Sequence, residues 1–286
     1  MNRFQLVALL GLGAAALGGC GKKAASDPAP ATPPTVVAAT AGPLAVAVEN
    51  VVGPDPLVLD TRTYASPAGE AFTVTKFNYY LSNFKLRRAD GSEYVVPDSY
   101  FLVRETAPGS PVSDGKHFVL PNVPVGSYTG ISFLIGVDEE RNTAGAQTGA
   151  LAPENGMFWS WNQGYIFLQM EGLSPQSGDT GSHLLAYHIG DFQRPNNLRV
   201  VAPPLPGGAA IEVQAGRTPE LHLRANLLRL FESYDPQLSN PVRFGPTWSA
   251  VGGAAAGRFA TNYSGSAERG VPGTNSMFSV VAVHGH

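Results

Sequence analysis

From Leu44 onward the chain alternates short apolar runs with turn-forming residues. Leu44–Val48 reads as a first strand, and Val51-Val52-Gly53-Pro54-Asp55-Pro56 ends it in a turn. Leu57–Leu59 and Ala71–Phe77 read as strands. Leu81–Arg87, then Ala89-Asp90-Gly91-Ser92, then Glu93–Val96 carries a hairpin signature with Asp-Gly at its turn. Ser99–Val103, Lys116–Leu120, Ser127–Val137, Tyr165–Glu171, Ile211–Ala215 and Met277–His284 are further expected strands, with a loop at Pro121–Gly126. The one good helical expectation is Thr218–Tyr234, which carries Leu221, Leu227, Leu228, Leu230 and Phe231. Within it, Leu221-His222-Leu223 also alternates like a strand. Many short strands with turns between them predict an all-β fold. The expectation is a β-sandwich, immunoglobulin-like or related, with long loops and at most one or two short helices. No repeat of fixed period is visible.

The N-terminal segment follows a different pattern. Met1-Asn2-Arg3 precedes an apolar run from Leu6 to Leu17, which suits a signal-peptide core and is too short to span a bilayer. Leu17-Gly18-Gly19-Cys20 resembles a bacterial lipobox, in which Cys20 is lipidated and becomes the mature N-terminus. Several acyl chains on one residue anchor stably, and they consume the thiol as a thioether. Ala24–Pro43, with Pro28, Pro30, Pro33, Pro34 and Pro43 among Ala and Thr, reads as an extended tether. The expected organisation is a leader over 1–19, a lipidated Cys and Pro/Ala-rich tether over 20–43, and one β domain over 44–286. The expected location is the periplasmic side of the outer membrane or the cell surface.

Composition narrows the function. Charged residues are 14% of the chain, against about 25% in ordinary domains. A net charge of −3 excludes a basic nucleic-acid-binding surface spread over the domain. One Cys excludes an internal disulfide and any Cys-based zinc or iron–sulfur site. No GxSxG, HExxH, P-loop or dinucleotide-binding pattern appears, and the expectation is a binding protein, not an enzyme. Gly207-Gly208 and Gly252-Gly253 read as loops. Asp138-Glu139-Glu140 with Asn142 lacks EF-hand spacing and reads as a solvated acidic loop.

Several boxes stand out: Phe77-Asn78-Tyr79-Tyr80-Leu81-Ser82-Asn83-Phe84, Gly136-Val137-Asp138, Met157-Phe158-Trp159-Ser160-Trp161 followed by Gly164-Tyr165-Ile166-Phe167, and Glu171-Gly172. They continue with His188-Ile189-Gly190, Met277-Phe278 and His284-Gly285-His286. In this order and spacing, over roughly 44–286, the chain resembles the MbnP-like family of bacterial periplasmic proteins. It departs at Asp191, where the family often has a second Gly. The resemblance implies an extracytoplasmic protein for copper acquisition or handling. It also implies a site of His side chains with a Trp oxidised to kynurenine, and a MauG-like di-haem cytochrome c peroxidase as the partner that makes it.

The residues can be weighed against that chemistry. Imidazole suits copper, as Cu(I) or Cu(II). His284 and His286, at i and i+2 of an extended segment, would share a face, as would Trp159 and Trp161. An unmodified indole N–H is a donor only, whereas kynurenine would add an aryl amine and a ketone. The candidate ligands are therefore His188, His284, His286, Trp159 and Trp161, with His117 and Met157 as secondary candidates. Glu171 is a candidate hydrogen-bond partner for a ligating His; His183 falls in a loop and His222 reads as structural. Two Trp in an aromatic segment also suit core packing. The competing reading is a ligand-binding or adhesion β-sandwich lipoprotein without metal.

Overall fold

A computed structural model describes residues 41–145, 147–160, 163–193, 196–233, 240–265 and 276–285. The leader, Cys20, the tether up to residue 40, Trp161 and His286 lie outside the described residues. In chain order the elements are β1 (Ala41–Val52), β2 (Asp55–Pro56), β3 (Tyr64–Ala65), β4 (Ala71–Arg87), β5 (Glu93–Val95), β6 (Tyr100–Arg104), β7 (His117–Pro124), β8 (Gly126–Tyr128) and β9 (Gly130–Ile135). Then come α1 (Glu139–Thr143), β10 (Phe158–Ser160), β11 (Gly164–Leu173), β12 (Leu184–Gly190), β13 (Arg199–Val201), β14 (Ile211–Val213), β15 (Glu220–Asn226), β16 (Ser249–Val251), α2 (Gly253–Ser264) and β17 (Phe278–His284).

A small sheet runs β17-β15-β1-β2, with β7 also paired to β1. A large sheet runs β13-β9-β4-β11-β12-β16, with β3, β5 and β6 on β4 and β10 on β11. Their inner faces share one core, in which Val46 and Leu221 of the small sheet join Tyr79, Met170 and Tyr187 of the large one. The all-β sandwich expected from the apolar pattern is the architecture observed.

The long strand β4 shows why simple alternation blurs. Its core residues are Phe72 and Val74, then Phe77, Tyr79 and Leu81, then Phe84 and Leu86. The phase slips twice, where the pairing with β11 shifts at Glu171/Gly172 and the pairing with β9 shifts between Ser82 and Lys85. Each extra residue flips the following side chains to the other face unless a bulge absorbs it. Asn83 absorbs the second slip with φ 53°.

Two expectations are corrected. Thr218–Tyr234 is not a helix: β15 lies parallel to β1 and antiparallel to β17, and a 3-10 turn at Leu227–Leu230 follows. Leu221, Leu223 and Ala225 face the core, so the alternation prevailed over leucine's helix propensity. The helix lies instead at α2, opened by Gly253, which had read as loop. There are smaller shifts too. Ala41-Gly42-Pro43 belongs to β1, with a bulge where Pro43 cannot donate. Leu57–Leu59 forms no strand, although Leu57 is buried. The expected loop from Pro121 is strand as far as Pro124.

Candidate metal centre

The boxes interlock on the outer face of the large sheet. The Ser82 hydroxyl donates to the Gly136 carbonyl at 2.8 Å, and Asn83 Nδ2 to Asp138 Oδ2 at 2.9 Å. The Tyr100 hydroxyl also donates to that carboxylate. Asp138 caps α1 by accepting from the Arg141 N–H at 3.0 Å, so the acidic stretch is a capped helix start. Burial opposes ionisation of Asp138, but its donors outweigh burial and hold the carboxyl below the usual range. Asn142, fully buried, accepts from the Tyr165 N–H at 2.8 Å and donates to the Asp138 carbonyl at 2.9 Å. Next to them lies a second, smaller apolar core that includes Tyr80, Tyr165, Phe167 and Phe192. Met157 is fully buried in it.

Beside this core runs a polar row across three strands. Leu185, Tyr187 and Ile189 of β12 point into the main core, so His188 and Gly190 face outward. His188 Nε2 lies 2.9 Å from Glu171 Oε1 on β11, and Lys76 Nζ on β4 lies 3.1 Å from Glu171 Oε2. Gln169 Nε2 donates to Glu171 Oε1 at 3.0 Å, and Asn78 Nδ2 donates to Gln169 Oε1 at 3.1 Å. Burial pushes the Glu171 carboxyl up, but Lys76 and His188 more than offset it, and the net shift is downward. A carboxylate facing Nε2 favours the tautomer with the proton there, which leaves the lone pair on Nδ1. Gln169 Nε2, 3.3 Å from the same ring nitrogen, is then a close neighbour and not a donor to it. The backbone is fixed as well, because the Gly252 N–H donates to the His188 carbonyl at 3.0 Å.

Trp159 forms the wall next to this row. A Cβ on Gly190 would fall 2.5 Å from Trp159 Cζ3, so the indole lies directly over that glycine. Gly190 and His188 are two residues apart on one strand face, about 7 Å along it. The structure therefore brings His188, Trp159 and Glu171 to one face. It also explains the position after the glycine. Asp191 has φ 76°, a backbone where glycine is at ease, and its carboxylate accepts from the Gly253 N–H at the start of α2.

His284 is not part of this group. Leu221 and Leu223 of β15 and, past a bulge, Val283 of β17 face the core, which turns His222 and His284 outward from the small sheet. The two outer faces lie on opposite sides of the sandwich, whose sheets alone are about 10 Å apart. His284 meets His222, with ring centroids 4.8 Å apart, and His117 shares that face. His222 had read as structural; the alternation Leu221-His222-Leu223 was the signal that places it outward. His183 sits in the turn before β12 with φ 59°.

Among the described residues, no group of three or more His, Cys, Asp or Glu side chains is arranged to hold a metal. One oriented imidazole nitrogen beside an indole fits a soft ion of low coordination number.

The sequence profile of the MbnP family matches residues 41–244. The chain belongs to the MbnP family. The solved structure of MbnP from Methylosinus trichosporium aligns with a TM-score of 0.50, covering 86% of this chain and 99% of that one. The identity is 16%, so the likeness is one of fold. Among curated proteins, no sequence matches. The family match takes in the boxes from Asn78 to Asp191 and stops before α2 and His284.

Proposed function

We propose that this chain is an extracytoplasmic, lipid-anchored copper-binding protein, and not an enzyme, serving copper acquisition or handling. The observation that carries the reading is His188, held through Nε2 by Glu171 with Nδ1 left over, on the face covered by the Trp159 indole. Carboxylate–imidazole couples of this kind orient ligating histidines and raise their basicity. Family membership supports copper as the ion, through the resemblance described above. Copper bound here would need only a soft, neutral donor set; His188 supplies a nitrogen, and Trp159, once oxidised to kynurenine, an amine and a ketone beside it. A MauG-like di-haem peroxidase is the expected source of that oxidation. Cys20 is the expected anchor, and lipid labelling lost in Cys20→Ser tests it.

The main experiment is copper stoichiometry of the natively matured chain, alongside mass spectrometry of the peptide carrying Trp159 and Trp161. Kynurenine exchanges one carbon of the residue for one oxygen. One copper equivalent bound by the matured wild type and missing from His188→Ala supports the reading. A matured chain with both Trp intact and no copper would favour a ligand-binding or adhesion scaffold instead.

A further inference from the structure

The histidines of the small sheet are unused by that reading. β1 lies between β7 and β15, and Ala47 is in register with both His117 and His222. The two histidines therefore flank a small side chain, with Cα atoms about 10 Å apart by strand spacing. Both line a cleft of about 350 Å³ whose floor includes Ala47. His284 is held beside His222 because β17 pairs with β15, matching His284 with Glu220 and Ala282 with His222. Val283 packs on the main core, which fixes this end of the strand.

Three features point to a ligand. First, the His222 and His284 rings meet edge to face with centroids 4.8 Å apart. Two imidazoles on one ion, each bound at about 2.0 Å, would place their centroids up to about 6 Å apart, so the observed pair lies within reach of a shared ion. Second, His222 Nε2 contacts Glu220 Oε1, repeating the carboxylate–imidazole couple of His188 and Glu171. That contact favours the proton on Nε2 and leaves Nδ1 of His222 as a donor atom. Third, the side chains stand on paired strands yet are open to solvent: the His222 side chain is 36% exposed. An ion can enter without opening the core, and exposed rotamers adjust quickly.

We propose that His222 and His284 form a second metal site, on the face opposite His188, for a late first-row transition-metal ion, whose remaining positions water fills. Imidazole nitrogen selects this class of ion over Ca²⁺ or Mg²⁺. The site needs no oxidised Trp, so it fills in chain made without any partner enzyme.

The test uses full-length chain carrying His188→Ala, titrated with Zn²⁺ and separately with Cu⁺ under reductant, against a chromophoric chelator. The expected result is one equivalent retained, with affinity falling at least tenfold in His188→Ala/His222→Asn/His284→Asn. In wild-type chain, substoichiometric Zn²⁺ should shift the imidazole NMR signals of His222 and His284 before those of His183. Uptake indifferent to His222 and His284, or the absence of uptake in His188→Ala chain, overturns the proposal. Because Zn²⁺ binding is read without Trp oxidation, failure here and failure of the copper reading at His188 are separate outcomes.

Discussion

The two outer faces of the sandwich hold histidines in opposite ways. On the large sheet His188 is 21% exposed, flanked by Glu171 and Gln169 on β11 and by Lys76 and Asn78 on β4, and bordered by an indole. On the small sheet the more exposed His222 contacts Glu220, and its ring meets that of His284 edge to face. The first face is preorganised, because its polar groups already satisfy one another and fix the ring. The second is adaptable, and its order comes from the strands beneath. A site built in the first manner discriminates by shape and tautomer. One built in the second accepts any ion that tolerates imidazole.

The sharpest way to break this comparison is to delete each ring. His188→Ala should weaken the copper equivalent held on the Trp159 face about 100-fold or more, while His222→Asn leaves that equivalent unchanged; a chelator competition reads both. Next comes the orienting carboxylate. Glu171→Gln should cost about 10- to 100-fold in the same assay, as removal of such partners does elsewhere. Equal affinity in the variant would mean that the row does not set the tautomer.

That substitution also has a pH signature. The folded-state pKa of Glu171 lies below the ordinary value, so its stabilisation is fully present above about pH 4.3 and fades as pH falls through the folded value. Urea melts between pH 6 and about pH 3 should therefore lose stability less steeply in Glu171→Gln.

A smaller effect is expected at the wall. Gly190→Ala pushes a methyl into the Trp159 ring and should cost about 1–3 kcal/mol, with a shift in tryptophan fluorescence. The smallest change is Asp191→Gly. It relieves a left-handed backbone but removes the carboxylate at the start of α2, and the two should cancel to within about 1 kcal/mol in thermal melts.

Much of the framework was legible because its chemistry is local. The Asp-Gly hairpin between β4 and β5 and the strands β6, β11 and β17 follow from alternation and turn residues. What stayed hidden depends on distant partners. Leucines over 221–231 spell a helix until β1 arrives to pair with 220–226 in parallel. Gly252-Gly253 spells a loop until Asp191 supplies the acceptor that lets α2 start there. Glu171 was visible as a carboxylate near His188, but not its anchoring by Lys76, which depends on how β4 pairs with β11. The separation of His188 from His284 was illegible for the same reason, since sequence spacing cannot say which sheet a strand joins.

The parallel pairing of β1 with β15 has a consequence for how the molecule is made. The strand formed by residues 41–52 sits inside the small sheet, yet its neighbour on one side comes from 220–226, itself edged by 278–284. A chain that emerges N-terminus first must leave that early strand half-paired until nearly all the rest has appeared. Contacts of such long sequence separation fold slowly and keep an unpaired edge open to strangers in the meantime. The large sheet, whose strands lie mostly within 64–201, can assemble ahead of it. During synthesis, closure of the small sheet has to wait for residues 220–226 and 278–284, and one edge of β1 stays open until they arrive.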